Sequence, residues 1–421
     1  MTATTWLTAT RRRVAVPGAL TGVLLAAALA GLAGPAGPAA AAPAVTRTAL
    51  LAWGQNAFGQ LGNGGTTDSD LPVTVHLPSG VRAVQVRGGG NFAVAVTAGD
   101  GVMAWGINPS GQLGAGRIAR SRIPVRVRLP RQVDGEVAQV RAGSVFALAL
   151  TATGQVWAWG DGAAGDLGDG RTSNAFIPVH VPMPGGARIA SISAGCIHSL
   201  ALTAGGEVLA WGNNKYGQLG DDSTTASDVP VRVELPRTFK AVAVAAGCYD
   251  SLALGADGEI FAWGDNQDGQ LGDGQPNMVN VLPVEIFVQV TGPAVGKVVQ
   301  IYGGCEHTVA LTSNGTVLAW GDDVEGELGT SPAGSVSRPA RVAGLAGRRV
   351  SSIAVGCFTS YARTASGQEL AWGHADDGEL GDGSFDDAFL PVTVHLPAGA
   401  TATAIGAGPA SSASYAITTR R

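Results

Sequence analysis

A Trp-Gly dipeptide recurs seven times along this 421-residue chain, at intervals of 52 to 57 residues. A second motif, Gly-Gln/Asp/Glu-Leu-Gly, begins five residues after each dipeptide. Seven copies of two linked motifs indicate a tandem repeat, in which each unit buries its apolar faces against its neighbours. The repeats are marked by Trp53, Trp105, Trp159, Trp211, Trp263, Trp320 and Trp372.

One repeat reads as four short antiparallel strands separated by turn residues. Its strand-like segments, apolar or alternating in polarity, are 189–194, 199–203, 207–211 and 231–235. Turns such as Asp257-Gly258, between the second and third strands, predict a type I′ hairpin. Pro230 and Pro236 bracket the last segment and favour an edge strand, because proline cannot donate a ladder hydrogen bond. No segment shows the sustained 3.6-residue period of an amphipathic helix.

These observations predict an all-β fold, a seven-bladed β-propeller of four-stranded antiparallel blades. The 63 glycines argue against a helical bundle, since each would cost about 1 kcal/mol inside a helix. Segment 46–53 resembles the strand that leads into a Trp-Gly dipeptide, and segment 414–418 resembles the strand that precedes such a strand. We therefore expect the N- and C-terminal strands to pair and close the ring, and removal of residues 46–53 to unfold or oligomerise the protein.

The N-terminus has the pattern of a secretory signal peptide over residues 1–42, followed by a short linker at 43–45. Arg11, Arg12 and Arg13 form a basic segment, residues 20–32 an apolar run, and Ala39–Ala42 an Ala-rich cleavage region. The pattern does not separate general secretion from twin-arginine export, and an N-terminal anchor is the alternative. Cleavage after residue 42 would leave the linker and, over residues 46–421, a secreted, membrane-free and monomeric propeller, and would change the formal net charge from −5 to −8.

The charge and the motifs also limit the activity. An acidic chain without a basic excess is not expected to bind nucleic acid, whose phosphates require lysine and arginine. The nucleophile-elbow, zinc-protease and phosphate-loop motifs are absent from the sequence. We therefore predict no catalytic residues, no cofactor and no metal centre, although propellers can assemble sites from distant blades and the question of an enzyme stays open. His198 and His307 are expected to be structural.

Two stretches of one repeat resemble the regulator of chromosome condensation repeat. They are Ala194–Leu202 (AGCIHSLAL) and Trp211–Gly220 (WGNNKYGQLG). The resemblance covers residues 46–421 and implies a seven-bladed propeller. The founding member of that family exchanges nucleotide on a small nuclear GTPase and docks on nucleosomes. This chain differs by its export signal, its acidity and the lack of a basic N-terminal arm, so exchange activity is a minor alternative.

The terminal segments are also similar to another group of propellers. Ala49–Gly54 and Ile405–Pro409 resemble the corresponding segments of the second-type β-lactamase inhibitory protein, a secreted propeller. Its repeats are shorter than those found here. The resemblance suggests a bacterial, exported branch of the repeat family and leaves β-lactamase inhibition as a further minor alternative.

Four cysteines occupy the same repeat position, directly after the glycine of the Ala-Gly segment. They are Cys196, Cys248, Cys305 and Cys357. Four consecutive blades would therefore place them in one layer near the ring axis. They could be buried thiols, a metal-binding ring, or two disulfides joining neighbouring repeats, Cys196–Cys248 and Cys305–Cys357. The sequence leaves the three alternatives open.

Two sets of variable loop positions are candidates for partner binding, because loops that vary on a constant scaffold often carry recognition. The first set lies in the two positions that follow the repeat position of the cysteines, which we call the cysteine slot. The second set is the single residue that directly precedes each Gly-x-Leu-Gly motif. These positions supply aromatic residues that could anchor a partner and an arc of acidic residues that could attract a basic one. The aromatic candidates are Phe58, Phe92, Phe146, Tyr216, Tyr249 and Phe358, and the acidic ones are Asp268, Glu325 and Asp377. The alternatives are residues that plug the channel and ordinary solvated charge.

Together these features predict a secreted, non-catalytic scaffold that recognises a protein partner through one end face of the ring. The acidic arc favours a basic partner, whose identity the sequence does not give. The main alternative is an extracellular enzyme or a carbohydrate-binding propeller with its site at the channel mouth.

Overall fold

The computed structural model describes residues 47–99, 101–133, 135–286, 295–330 and 334–420. The predicted signal peptide and linker lie outside these residues. Within them, the chain forms seven four-stranded antiparallel sheets, the blades of a β-propeller. The structure therefore confirms the predicted all-β, seven-bladed fold.

The strands of blades 2 to 4 follow the chain from the ring axis outwards. Blade 2 contains β3 (Ala83–Gly88), β4 (Phe92–Thr97), β5 (Gly101–Ile107) and β6 (Arg120–Arg126). Blade 3 contains β7 (Val137–Ala142), β8 (Phe146–Thr151), β9 (Val156–Gly160) and β10 (Ala175–Val181). Blade 4 contains β11 (Ile189–Ala194), β12 (His198–Thr203), β13 (Val208–Gly212) and β14 (Ser227–Arg232), and a 3₁₀ turn at Pro184–Gly186 precedes it.

Blades 5 to 7 repeat the same order. Blade 5 contains β15 (Ala241–Ala246), β16 (Asp250–Gly255), β17 (Ile260–Asn266) and β18 (Met278–Ile286). Blade 6 contains β19 (Val298–Gly303), β20 (His307–Thr312), β21 (Val317–Gly321) and β22 (Val336–Arg341). Blade 7 contains β23 (Val350–Val355), β24 (Thr359–Thr364), β25 (Glu369–Gly373) and β26 (Ala388–Thr393).

Among the described residues, no helix has the length and apolar character needed to cross a membrane.

Blade 1 combines the two ends of the chain. Its order is β27 (Ala400–Gly406), β28 (Ala413–Arg420), β1 (Arg47–Gly54) and β2 (Ser69–Thr74), from the axis outwards. β1 and β28 pair without interruption, from Arg47 opposite Arg420 to Gly54 opposite Ala413. This pairing agrees with the predicted closure. β1, the first strand of the chain, is however the third strand of this blade counted from the axis, so each end of the chain supplies two strands.

Two local predictions need correction. In the repeat analysed above, the outer strand is Ser227–Arg232 and contains Pro230, whereas the sequence placed it at 231–235. The proline is tolerated because this strand is the outer edge of the blade. The hairpin turns are not type I′, because Gly258 takes a positive φ and Asp257 does not. They correspond to a longer loop that ends in a left-handed glycine.

The repeated tryptophans lie between blades. All seven are completely buried, and each indole Nε1 donates a hydrogen bond to the carbonyl of the second residue of a Gly-x-Leu-Gly motif in the preceding blade. Trp211 Nε1, for example, lies 3.0 Å from Asp166 O. The last glycine of the motif lies against the same indole, since a Cβ on Gly168 would be 2.7 Å from Trp211 Nε1. The two repeated motifs therefore form one contact between neighbouring blades.

Candidate functional site

All predicted partner-binding positions belong to one end of the ring. Because the strands of a blade are antiparallel, the loop between its first and second strands and the loop between its third and fourth strands lie at the same end. We call this end the turn face. The opposite end, which carries the hairpins between second and third strands, is the hairpin face.

Only the first of the two positions after the cysteine slot is on the surface. Tyr249 is half-buried there, and Phe358 is 38% exposed. The second position begins the next strand and points into the protein. Phe92 and Phe146, predicted as anchors, occupy this second position and are completely buried. They are therefore excluded as surface anchors and belong to the core.

The buried second position explains the glycine of the Ala-Gly segment. A Cβ on Gly89 would collide with the ring of Phe92, and one on Gly143 with the ring of Phe146. The ring of each phenylalanine thus fills the space that a side chain on the glycine would need. Sequence variation at this position adjusts the packing and does not present different groups to a partner.

His198 and His307 occupy the same second position and join neighbouring blades. His198 Nε2 lies 2.8 Å from Ser251 Oγ, which donates its own hydrogen to Gln218 O at 2.9 Å. His198 therefore donates from Nε2. Burial lowers the pKa of His198 to about 3 and that of His307 to about 4, so both rings are neutral at ordinary pH. This arrangement agrees with the predicted structural role.

The remaining aromatic candidates are partly exposed on the turn face. Tyr216 and Tyr249, from blades 4 and 5, form a pair with ring centroids 5.2 Å apart. Phe358 stands edge-on to His374, with centroids 6.3 Å apart. Phe58 is half-buried in the equivalent turn of blade 1. Tyr216 and Tyr249 are thus brought together, whereas Phe358 and Phe58 lie on other blades.

Carboxylates of blades 5 and 6 form an acidic sector beside the tyrosine pair. We define this acidic sector as Asp265, Asp268, Glu306 and Asp322. Burial raises the pKa of Glu306, and the negative charges of Asp268, Asp322 and Asp265 raise it further. The pKa of Asp268 is raised by burial and then by Asp322. The acidic sector is therefore a group of carboxylates that repel one another and would be stabilised by a positive charge.

Glu325 and Asp377, the other predicted acids, have partners on neighbouring blades. Glu325 Oε2 lies 3.8 Å from His374 Nδ1, and Asp387 Oδ1 lies 3.4 Å from the same nitrogen. Asp377 Oδ2 accepts a hydrogen bond from Gln55 Nε2 at 2.8 Å. Asp377 therefore belongs to the contact between blades 7 and 1, one blade beyond the acidic sector.

The four cysteines form two disulfides at the ring axis, Cys196–Cys248 and Cys305–Cys357. Both join neighbouring blades, and the pairs lie side by side because Cys248 Sγ is 3.0 Å from Cys305 Sγ. Pro409, which occupies the cysteine position of blade 1, points its carbonyl oxygen at both sulfurs. The disulfides and Pro409 close the axis at the turn face.

A cavity on the ring axis contains two residues that the sequence analysis did not single out. Arg87 of β3 and Arg141 of β7 line it. The repeat register was the available signal, because aligned inner strands have small or uncharged residues where these two have arginine.

Comparisons with known proteins agree with this architecture. The model of the RCC1-like domain matches residues 49–414. The human E3 ubiquitin-protein ligase HERC2 is 34% identical over 380 residues, which cover 88% of this chain and 8% of that protein. The Arabidopsis thaliana ultraviolet-B receptor UVR8 is 32% identical over 280 residues, covering 66% of this chain and 62% of the receptor. The chain thus spans only part of these relatives.

Solved structures share the fold at lower identity. Human WBSCR16 superposes with a TM-score of 0.77 at 23% identity, covering 89% of this chain and 99% of that one. Yeast RCC1 (Prp20), solved with Kap60 bound to it, also gives 0.77 at 23% identity and covers 90% of each chain. With the matched domain model and the seven closed blades, these findings show that the chain belongs to the RCC1-like domain family.

Proposed function

We propose that this protein is a secreted, non-catalytic scaffold that binds a basic segment of a partner protein on its turn face. The acidic sector is the observation that carries the proposal. Three carboxylates, Asp265, Asp268 and Asp322, act on Glu306 and raise its pKa. A lysine or arginine of a partner would relieve this repulsion and gain charge-assisted hydrogen bonds.

The tyrosine pair gives the same surface an apolar anchor. Tyr249 is tied to the acidic sector, because its carbonyl oxygen accepts a hydrogen bond from Asp265 N at 3.0 Å. Tyr216 lies against it from the neighbouring blade. Partly exposed tyrosines beside charge are typical of recognition surfaces, since the ring supplies contact area and the hydroxyl a polar contact.

Relatives support a role in protein binding. Yeast Prp20 has been solved bound to Kap60, and its structure has been described together with its binding to Gsp1p and histones. Those partners belong to that protein. For the present chain they support the class of function, a propeller that presents a surface to other proteins.

Secretion is supported by the chemistry of the chain. Residues 1–42 have the basic, apolar and small-residue segments of an export signal. The disulfides Cys196–Cys248 and Cys305–Cys357 suit an oxidising compartment, where such bonds persist.

Charge reversal on the two faces tests the proposed function. The test variant carries Asp268→Lys, Glu306→Lys and Glu325→Lys, three partly exposed acids of the turn face. The matched control carries Glu136→Lys, Glu234→Lys and Asp257→Lys, which make the same charge change on the hairpin face. Each immobilised protein is incubated with culture supernatant of its source, and captured proteins are quantified by mass spectrometry. We expect one stoichiometric, basic partner with the wild type and the control, and its loss with the turn-face variant.

Equal capture by both variants would contradict this proposal. Recovery of glycans in place of a protein would contradict it as well and would favour the carbohydrate-binding alternative. Circular dichroism of each variant confirms that the propeller is intact before binding is compared.

A further inference from the structure

The inner strands enclose a cavity of about 160 Å³ on the ring axis, to which all seven blades contribute. An apolar cavity of about this size in another protein holds a benzene molecule, so a ligand of about six non-hydrogen atoms fits. Arg87 and Arg141 are its charged lining residues, and no carboxylate lines it within the described part of the chain. The cavity is thus positive in an acidic protein.

The positive charges of the two arginines repel each other, and no carboxylate among the described lining residues neutralises them. Arg87 Nη1 donates to Val86 O at 2.7 Å, and Arg141 Nη1 donates to Val140 O at 3.0 Å. A guanidinium has five N–H donors, so most donors of each remain for a ligand or water. Burial, and then the charge of Arg87, lower the pKa of Arg141 to about 9. An anion between them would offset both effects.

The repeat register explains why there is space beside the arginines. Aligning the inner strands by their Ala-Gly segments places five uncharged residues at the position of Arg87 and Arg141. Four are small, and the fifth is a tyrosine that interacts electrostatically with Arg141. The five are Ser193, Ala245, Tyr302, Ala354 and Gly406. Small residues around the rest of the ring leave room that longer side chains would fill.

The cavity is closed at the turn face. Gly408 and Pro409 line the cavity there. The carbonyl oxygen of Pro409 contacts the disulfides, at 3.5 Å from Cys248 Sγ and 3.2 Å from Cys305 Sγ. At the other end, the inner strands begin with exposed valines, among them Val242 and the lining residue Val299. A ligand would therefore enter from the hairpin face, opposite the proposed partner-binding surface.

We propose that this cavity binds a small oxyanion, held by the guanidinium groups of Arg87 and Arg141. The ligand is a molecule with a carboxylate, sulfate or phosphate group, because arginine forks match these groups with paired hydrogen bonds. The proposal rests on the inner strands and is independent of the proposed protein binding on the turn face.

Isothermal titration calorimetry of the full chain with intact disulfides tests this proposal. Sodium phosphate, sodium sulfate and sodium malonate are the probes, each titrated in a chloride buffer of low ionic strength. We expect at least one of them to bind with a stoichiometry of one. Arg87→Ala and Arg141→Ala are each expected to weaken binding by about tenfold or more, because each removes charge-assisted hydrogen bonds. Arg131→Ala removes an exposed arginine outside the cavity and should leave the affinity unchanged.

A conservative variant separates the role of the fork from that of the charge. Arg141→Lys keeps the positive charge and loses the planar donors, so we expect a smaller loss than with Arg141→Ala. Should Arg141→Ala fail to fold, Arg87→Ala and Arg141→Lys carry the test. The proposal is overturned if the wild type binds none of the three anions, or if removing either cavity arginine has no more effect than Arg131→Ala.

Discussion

Trp53 Nε1 donates a hydrogen bond of 2.8 Å to the carbonyl oxygen of Glu379, 326 residues later in the chain. The equivalent hydrogen bond joins each of the six remaining pairs of neighbouring blades, for example between Trp211 Nε1 and Asp166 O. Here it joins blade 1 to blade 7 and so completes the ring. A Cβ on Gly381 would lie 2.8 Å from Trp53 Nε1, which fixes glycine at the end of that motif.

Trp53→Phe removes this hydrogen bond and leaves a void between two blades. We expect a loss of about 2–4 kcal/mol in the free energy of unfolding, because packing is lost and the buried carbonyl of Glu379 keeps only one of its two donors, Tyr361 Oη at 2.9 Å. Urea denaturation followed by circular dichroism measures it. Trp157→Phe is the control, because Trp157 is half-buried and its Nε1 has no hydrogen-bond partner in the described structure. Equal losses in the two variants would refute the importance of the bond.

Removal of residues 46–53 takes away nearly all of β1, which pairs with β28 on one side and β2 on the other. The edge of β28 would then be unpaired, and exposed strand edges recruit other chains. We expect the truncated protein to be unfolded or oligomeric. Size-exclusion chromatography with light scattering checks this, and a stable monomeric truncation would disprove closure by these strands.

Glu369 is a buried carboxyl at the start of β25, and neither of its side-chain oxygens has a hydrogen-bond partner among the described residues. Burial raises its pKa to about 8, against the opposing effect of Arg363. The folded state therefore holds a proton that the unfolded chain releases above its ordinary pKa. The stability that this proton provides is complete at acidic pH and is lost as the pH rises towards 8.

Glu369→Gln removes this dependence. We expect the variant to exceed the wild type in free energy of unfolding by about 1–3 kcal/mol at pH 9, with a smaller difference at pH 6.5. Urea titrations at the two pH values measure the difference, with the exposed Glu136→Gln as control. A wild type as stable as the variant at pH 9 would show that Glu369 is not held protonated.

The disulfides tie together blades 4 and 5 and blades 6 and 7, each across 52 residues. A covalent link over a loop of this length restricts the unfolded chain, so we expect Cys196→Ser with Cys248→Ser to lower the free energy of unfolding by about 2–4 kcal/mol. Differential scanning calorimetry checks this, and reduction of the wild type should give a further decrease from the second bridge. Mass spectrometry that finds four alkylatable thiols in the non-reduced protein would contradict the pairing.

The sequence predicted the fold well because its repeated motifs make the contacts between blades. Trp53, Trp211 and their equivalents are constant because each indole must reach a main-chain carbonyl of the preceding blade. A contact that uses the main chain leaves the same mark in every repeat. For the same reason, the pairing of the terminal strands could be predicted from two incomplete units.

The candidate site was less predictable because burial depends on which way each loop residue points. Phe92 and Asn91 are adjacent and both positions vary among the repeats, yet Phe92 is buried beneath Gly89 while Asn91 remains partly exposed. Arg87 and Arg141 were missed for another reason. Their proximity arises from the closure of the ring, which brings neighbouring inner strands to one axis.

Hydrogen–deuterium exchange of the protein, alone and with its captured partner, tests the central claim most directly. Binding on the turn face predicts protection of the loops that contain Tyr216, Tyr249, Asp268, Glu306 and Glu325, with the hairpins between second and third strands unchanged. Protection confined to the hairpin face, or to the outer strands of the blades, would contradict the account.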